Sequence, residues 1–257
     1  MSTFLWQDIV FGPIHSRRLG VSLGLNISPC NGKICSFDCI YCECGRNPHG
    51  LKLTMPTFAQ VAEAMEMRFA QIFQEVGRVD SISFTGNGEP TLNPDFEQII
   101  QRTVKLRNKY FPMAQVSVFS NSTRLHLESV RRALSITDNP ILKLDTMDSQ
   151  LFQLINCPAP GITPERIVEN LKLMNGNYIL QTMFLKGTYK GVTFDNSADG
   201  YAQSWQKTVL ELKPRKVMLY SIDRETPEQG LEKVTPERMK QIAAPLEEAG
   251  IDVQINA

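Results

Sequence analysis

The chain alternates short apolar runs with amphipathic stretches of helical spacing along almost its whole length. A β-then-α repeat of this kind joins parallel strands through right-handed crossovers, so it predicts an α/β fold with a parallel sheet. A barrel and an open doubly wound sheet both satisfy the pattern, and periodicity does not separate them. The predicted strands are 20–27, 81–85, 116–119, 141–144, 178–185, 217–220 and 253–255, and the predicted helices are 58–76, 95–109, 126–135, 148–155, 164–174, 199–212 and 235–249.

Two of these helices carry clear local signals. Thr57 and Gln60 have the spacing of a capping box before the helix at 58–76, and Gly77 supplies its stop. The last helix opens at Thr235 and contains Pro245, where we expect a kink. The local signals therefore agree with the periodic pattern.

Length and charge exclude several classes of protein. A chain of 257 residues buries a core without disulfides, and we predict a single domain, with a core at about 20–225 and a C-terminal β/α extension at about 226–257. Lys plus Arg and Asp plus Glu are both 27, which leaves a nucleic acid open as a partner without favouring it. No apolar run approaches the ~20 residues of a membrane helix, and the first residues lack a signal-peptide pattern. We therefore expect no membrane association and a cytoplasmic location.

The cysteines are crowded. Five of the six fall between Cys30 and Cys44, and Cys35, Cys39 and Cys42 form a C-x3-C-x2-C run. Crowding in a chain without an export signal favours a metal site over a disulfide framework. Three thiolates would leave one iron of a [4Fe–4S] cluster free, whereas structural zinc normally takes four ligands. A zinc site and plain buried thiols are the alternatives.

Polar residues follow the predicted strands at the ends where α/β folds place their sites. We therefore expect them to gather at one mouth. Lys143 and Asp145 alternate along one strand and so point to the same face, where a buried charge needs a ligand or a partner. We interpret them as ligand contacts, with an internal ion pair as the alternative. The residues expected at the mouth are the cysteine loop, Gly86–Pro90, Ser120, Asn121, Asp145, Lys186, Asp223 and Arg224.

Two of these segments together resemble the radical S-adenosylmethionine (SAM) superfamily. The first is the three-cysteine run with Tyr41 before its last cysteine, and the second is Gly86–Leu92, about 45 residues later. Further stretches resemble a subgroup of Fe–S oxidoreductases related to the wyosine-forming tRNA-modifying enzymes. Those stretches are Gly12–Gly24, Leu144-Asp145, Leu151-Phe152, Ile155-Asn156, Phe184–Gly187 and Asp223-Arg224.

The resemblance implies a partial TIM-like (βα)6 barrel with a [4Fe–4S] cluster on Cys35, Cys39 and Cys42. It also implies that SAM binds the fourth iron and is reductively cleaved to a 5′-deoxyadenosyl radical, which abstracts hydrogen from a substrate. A reductant such as flavodoxin or ferredoxin would supply the electron. The implied SAM-binding residues are Tyr41, Asn87, Gly88, Glu89, Pro90, Ser120, Asn121, Lys143 and Asp145, and Arg17, Arg18, Lys186 and Arg224 are candidates for an anionic substrate or the SAM carboxylate.

The substrate stays open at this point and includes small molecules, peptides and proteins. A glycyl-radical activating enzyme and a tRNA-modifying enzyme are alternatives. Two observations weigh against a tRNA substrate: no cysteine precedes Cys30, and the net charge is zero. Two non-enzymatic alternatives are an Fe–S electron carrier and a zinc-stabilised binding module. Cys30, Cys44 and Cys157 are interpreted as plain thiols, with an auxiliary metal centre as the other reading.

Overall fold

A computed structural model describes residues 4–16, 20–223 and 226–256. Strands and helices alternate along it, as the sequence pattern predicts. The strands are β1 (Val10–Ser16), β2 (Gly20–Leu25), β3 (Ser81–Phe84), β4 (Gln115–Ser120), β5 (Asn139–Lys143), β6 (Ile179–Met183), β7 (Leu185–Tyr189), β8 (Val192–Asp195), β9 (Lys216–Tyr220), β10 (Leu231–Lys233) and β11 (Asp252–Asn256). The helices are α1 (Phe58–Glu75), α2 (Phe96–Tyr110), α3 (Glu128–Ser135), α4 (Ser149–Asn156), α5 (Pro164–Lys172), α6 (Asp199–Leu212) and α7 (Pro236–Glu248), with a short 3-10 turn at Pro90–Leu92.

The main sheet has eight strands in the order β1-β2-β3-β4-β5-β6-β9-β11. Every neighbouring pair is parallel except β1 and β2, which are antiparallel. Among the described strands β1 and β11 are the two edges and do not pair with each other, so the sheet stays open. The predicted α/β fold with parallel strands is confirmed.

The two faces of this sheet differ in chemistry. Side chains of a strand alternate between faces, and one set, including Ile82, Val116 and Leu142, is fully buried in the main hydrophobic core with the helices. The other set forms the more polar face: Ser83 lies beside Ser117 and Lys143 beside Gln181, with an apolar row of Phe119, Ile141 and Ile179 between them. A parallel sheet packed by helices on both faces would be apolar on both. The polar face is therefore the one available for a binding cleft.

Helix α1 forms as its sequence signals predict. The Thr57 hydroxyl accepts from the Gln60 backbone N–H at 3.4 Å, and the Thr57 N–H donates to Gln60 Oε1 at 2.9 Å, which completes the capping box. Met65 and Phe69 on its inner face are fully buried. Burial of such side chains contributes roughly 1.5–3 kcal/mol each, so packing as well as the cap stabilises this helix.

A second, antiparallel sheet in the order β10-β7-β8 is absent from the sequence prediction. The predicted strand at 178–185 breaks at Phe184, which is fully buried and donates its N–H to Tyr220 O. The chain then enters β7 and leaves the main sheet. β1 was likewise missed, because Gly12 and Pro13 interrupt its alternation. No helix of the described residues combines the length and the apolarity that crossing a membrane requires.

Candidate active site

The cysteine loop leaves the carboxyl end of β2 and is organised around Lys33. The Lys33 side chain is 2% exposed, and its Nζ donates to Asp38 Oδ1 at 3.1 Å and to Gly45 O at 2.9 Å. Asn47 ties the same turn, because its N–H donates to Asp38 Oδ1 and its Oδ1 accepts from the Cys35 N–H. A buried cation therefore lies within the loop that carries the three cysteines.

The sulfur atoms of this loop accept hydrogen bonds from outside it and within it. Cys35 Sγ lies 3.5 Å from Asn121 Nδ2, at the end of β4, and 3.4 Å from the Phe37 N–H. Cys39 Sγ lies 3.4 Å from Asn156 Nδ2, at the end of α4. Donors of this kind stabilise negative charge on sulfur, as metal-bound thiolates require.

The three thiols differ in acidity. Burial raises the pKa of Cys35 above its ordinary range and that of Cys39 to about 11. The neighbouring Cys44 thiol and the charge of Lys33 lower the pKa of Cys42 to about 6, against the effect of burial. Burial by itself lowers the pKa of Lys33, but Cys42, Cys35, Cys39 and Asp38 raise it above the usual lysine value, so Lys33 stays a cation.

The glycine-rich loop after β3 is joined to the cysteine loop through Ile34. The Ile34 N–H donates to Asn87 O at 3.1 Å, and the Glu89 N–H donates to Ile34 O at 3.0 Å. Gly88 between them has φ +140°, and the contact leaves no room for a side chain. This pairing fixes the distance between the cysteines and the carboxyl end of β3.

The polar side chains of the glycine-rich loop form hydrogen bonds with other residues of the protein. Glu89 is 2% exposed and accepts from Thr91 N, Thr91 Oγ1, Ser120 Oγ and Asn121 N at 2.5–3.1 Å. Burial raises the pKa of Glu89, and these hydrogen bonds act in the opposite direction. Asn87 Nδ2 and Oδ1 both bond the Trp6 backbone at 2.8 Å. Glu89 thus joins the ends of β3 and β4, and its contact with the SAM ammonium stays a prediction, as do those of Asn87, Gly88, Pro90, Ser120 and Asn121.

Asp145, just beyond β5, accepts from four donors. Its side chain is 0% exposed; Oδ1 lies 3.2 Å from Lys143 Nζ and 2.9 Å from the Met183 N–H. Oδ2 accepts from the Tyr41 hydroxyl and, at 2.7 Å, from Asn156 Nδ2. Lys143 Nζ also lies 4.9 Å from the centre of the Tyr41 ring. The internal ion pair considered from the sequence is present.

Charge states in this network follow from its contacts. Burial raises the pKa of Tyr41, and Asp145 raises it further, so the phenol stays protonated and donates. Burial lowers the pKa of Lys143, but Asp145 and Cys39 outweigh it and the net pKa is raised. Lys143 therefore stays charged beside the cysteine loop.

The expected gathering at one mouth is confirmed for four of its members: the cysteine loop, the Gly86–Pro90 loop, Ser120-Asn121 and Asp145 are joined by the hydrogen bonds above. Lys186 and Asp223 are bonded elsewhere: Lys186 on β7 faces Glu232 at 3.7 Å, and Asp223 pairs with Lys233 at 3.2 Å. Lys186 also lines a cavity of about 300 Å³ with Asp195 and Arg238. Arg17, Arg18 and Arg224 lie outside the described residues.

Two residues of the site were given no role from the sequence. Lys33 precedes Cys35 by two positions, and its place among the cysteines was the available signal. Asn156 lies 117 positions beyond Cys39, so only the folded chain reveals their contact. Asn156 Oδ1 is buried and has no hydrogen-bond partner among the described residues, which leaves an acceptor for a bound ligand.

In the described part of the chain, the remaining cysteines belong to no group of three side chains that could hold a metal ion. Cys30 is exposed, Cys44 donates to Gly86 O at 3.4 Å, and Cys157 donates to Leu154 O at 3.4 Å. Within the same residues no three His, Cys, Asp or Glu side chains converge for a single metal ion, and this includes the three loop cysteines. A [4Fe–4S] cluster instead takes one thiolate per iron, so its ligands need not converge on one point.

Comparison with known families identifies the chain. Residues 32–193, which contain the three cysteines, the glycine-rich loop and the Lys143–Asp145 pair, match the radical SAM superfamily. The chain belongs to the radical SAM superfamily. The cofactors of this superfamily are a [4Fe–4S] cluster and SAM.

Similar proteins add detail to this family membership. A UPF0026 protein of Methanocaldococcus jannaschii is 32% identical over 185 residues, which cover 70% of this chain and 54% of that one. The GTPase Obg of Brachyspira hyodysenteriae is 29% identical over 252 residues, covering 96% of this chain and 34% of that one. The chain thus spans between a third and about half of these relatives' length. The UPF0026 likeness fits the subgroup suggested by the sequence.

A solved structure supports the partial barrel. Streptococcus suis SuiB bound to S-adenosylmethionine superposes with a TM-score of 0.60 at 15% identity, covering 91% of this chain and 50% of that one. At this identity the likeness concerns the fold. The predicted radical SAM core, an incomplete barrel of parallel strands, is confirmed.

The residues present fit the cofactors of the family. Three thiols on one loop can each bind one iron, and Lys33 and Lys143 offset the negative charge that a reduced cluster adds. Asn156 Oδ1 is an unused acceptor beside them.

Proposed function

We propose that Cys35, Cys39 and Cys42 hold the [4Fe–4S] cluster and that the protein reductively cleaves SAM to start hydrogen abstraction from a substrate. One observation carries the proposal: the three thiols share a loop with a buried cation, and that loop is bonded to the ends of β3, β4 and α4. Such a site places a redox centre where a parallel α/β sheet binds its ligands.

When bound, the cluster and SAM would supply the chemistry, namely one-electron reductive cleavage of SAM to methionine and a 5′-deoxyadenosyl radical, which would take a hydrogen atom from the substrate. The chain positions and shields this reaction. Ile34 and Glu89 hold the cysteine loop against β3, and Phe37 and Ile40, which are at most 2% exposed, exclude water from the side of the loop facing the core.

Lys143 is the residue we propose for the SAM carboxylate or an anionic substrate group. Its side chain is 16% exposed, it lies on the polar face of the sheet, and Asp145 and the Tyr41 ring hold it there. A cation with one anionic partner and a partly exposed ammonium retains donors for a ligand. Asn156 Oδ1 is the corresponding acceptor for the SAM ammonium.

We propose a small molecule, a peptide or a protein as the substrate, since a formal net charge of zero gives a nucleic acid no general attraction. A flavodoxin- or ferredoxin-type protein is the proposed source of the electron, because the cluster needs a one-electron donor.

The test is anaerobic reconstitution with iron and sulfide, followed by iron analysis and electron paramagnetic resonance of the dithionite-reduced protein with and without SAM. We expect about four irons per chain and a signal that changes shape with SAM, because SAM ligates an iron. Cys39→Ala should lose the signal, whereas Cys157→Ala, a cysteine outside the loop, should keep it. A zinc protein, or a cluster signal indifferent to SAM, would overturn the proposal.

A further inference from the structure

Two asparagine amides contact the proposed cluster ligands from outside the cysteine loop. Asn156 is fully buried, and its Nδ2 lies 3.4 Å from Cys39 Sγ and 2.7 Å from Asp145 Oδ2. Asn121 is 6% exposed, and its Nδ2 lies 3.5 Å from Cys35 Sγ. Two of the three sulfurs therefore meet a side-chain N–H from a different part of the fold.

The orientation of the Asn121 amide is set by donors on its other side. The Thr123 N–H, which can only donate, lies 3.1 Å from Asn121 Oδ1, and the Thr123 hydroxyl lies 2.7 Å from the same atom. The oxygen end must therefore face Thr123, and the nitrogen end faces Ser36 Oγ at 2.8 Å and the Cys35 sulfur.

The Asn156 amide is oriented by an acceptor. Asp145 carries the charge that pairs with Lys143, so its oxygens accept hydrogen bonds, and the nitrogen end of Asn156 must face it. The second amide hydrogen is then left for Cys39 Sγ and the Tyr41 hydroxyl oxygen, each at 3.4 Å.

The polar side chain of Asn156 lowers the stability of the fold. Asn156 Oδ1 is buried without a partner in the described part of the chain, which is unfavourable in the protein alone. A leucine, whose side chain has the same number of heavy atoms, would avoid that cost. The amide N–H toward sulfur and carboxylate is what a leucine could not supply.

We propose that Asn156 and Asn121 are positioning residues that raise the reduction potential of the cluster through N–H···S hydrogen bonds to Cys39 and Cys35. The inference rests on the proposed function. Reduction adds negative charge that spreads onto the ligand sulfurs, and a donor aimed at a sulfur stabilises the reduced state more than the oxidised one. Burial strengthens the effect, because little water competes or screens.

The test is an anaerobic redox titration of the reconstituted protein without SAM. The electron paramagnetic resonance signal of the reduced cluster is measured at each potential. Asn156→Leu should lower the midpoint potential, so that the ratio of reduced to oxidised cluster at a fixed potential falls at least about threefold, or about 28 mV for one electron. Asn121→Leu should shift it in the same direction. Asn196→Leu is the matched control: Asn196 is 1% exposed and bonds Asp145 O and Met183 O but no sulfur, so the wild-type potential is expected.

The outcomes are distinct. The inference is wrong if Asn156→Leu and Asn121→Leu bind the cluster but keep the wild-type midpoint potential. It is also wrong if Asn196→Leu shifts the midpoint potential as much as they do. Both results would leave the proposed function intact. If neither asparagine variant takes up a cluster while Asn196→Leu does, the amides serve structure and the inference is equally wrong. A wild-type protein that forms no cluster would instead overturn the proposed function.

Discussion

Gly88 packs so closely on Ile34 that a Cβ atom at position 88 would lie 1.9 Å from the Ile34 carbonyl oxygen. This contact is where the glycine-rich loop after β3 meets the cysteine loop, and the two segments bond each other's backbone on both sides of it. The glycine therefore sets how near the cysteines lie to the mouth of the sheet.

Gly88→Ala should separate the two loops. The Cβ meets backbone rather than a flexible side chain, so we expect a cost above about 2 kcal/mol, since overpacking alone costs about 1–3 kcal/mol and φ +140° adds strain. The iron bound per chain after reconstitution should fall well below that of the wild type. Gly161→Ala is the control, because Gly161 has φ +81° and open space around it, so it tests strain without a clash. Equal iron content in Gly88→Ala and wild type would contradict this role.

Lys143→Met should destabilise the protein strongly, because Asp145 would remain buried without its counterion. Removing one partner of a buried pair costs about 3–5 kcal/mol, and the melting temperature of a protein this long falls by about 2–4 °C per kcal/mol. Lys143→Met/Asp145→Asn should recover part of the loss, with a coupling energy above about 1 kcal/mol in a double-mutant cycle.

The same double-mutant cycle distinguishes an internal ion pair between Lys143 and Asp145 from two separate ligand contacts. If Lys143 serves only as a ligand contact, Lys143→Met and Asp145→Asn should each keep a melting temperature near that of the wild type. Only their affinity for SAM should fall. Calorimetric titration of SAM into the loaded variants measures the second quantity.

Tyr178→Phe should change how stability depends on pH. Tyr178 is fully buried, its hydroxyl has no partner among the described residues, and burial raises its pKa above the ordinary value near 10. Below about pH 10 the phenol is neutral in both states. Above it the phenol ionises in the unfolded chain while the folded one resists, so the wild type loses stability as pH rises toward the folded pKa.

Melting curves at pH 8 and pH 10.5 check this expectation. Tyr178→Phe should match or exceed the wild type at pH 8, by up to about 1 kcal/mol, because it removes an unsatisfied buried hydroxyl. Its advantage should grow at pH 10.5. An advantage that stays the same or shrinks would show that Tyr178 ionises freely in the folded protein.

The sequence predicts elements and motifs that depend on near neighbours. The capping box of Thr57 and Gln60, the strands of the parallel sheet and the C-x3-C-x2-C loop all follow from short spacings or regular periods. The sheet of β7, β8 and β10 does not, because β10 joins β7 across more than 40 residues and neither strand alternates over more than five.

The site, too, combines features that short spacings predict with contacts that only the folded chain reveals. Spacing marks the three cysteines and the glycine-rich loop, but Asn156 meets Cys39 only because α4 ends against the cysteine loop, where Asp38 and Ile40 bond its last residues. Other partners are also remote: Glu89 accepts from Ser120 and Asn121, and Asp145 accepts from Met183. The sequence places both carboxylates at the mouth, and only the fold reveals these donors.

Production of 5′-deoxyadenosine tests the central claim most directly. The reconstituted protein is mixed anaerobically with dithionite and SAM, and 5′-deoxyadenosine and methionine are quantified beside Cys39→Ala and the Cys157→Ala control. The account predicts both products in equal amounts from the wild type and Cys157→Ala, and none above background from Cys39→Ala. A fully loaded wild-type cluster that releases neither product, or equal release from Cys39→Ala, would contradict it.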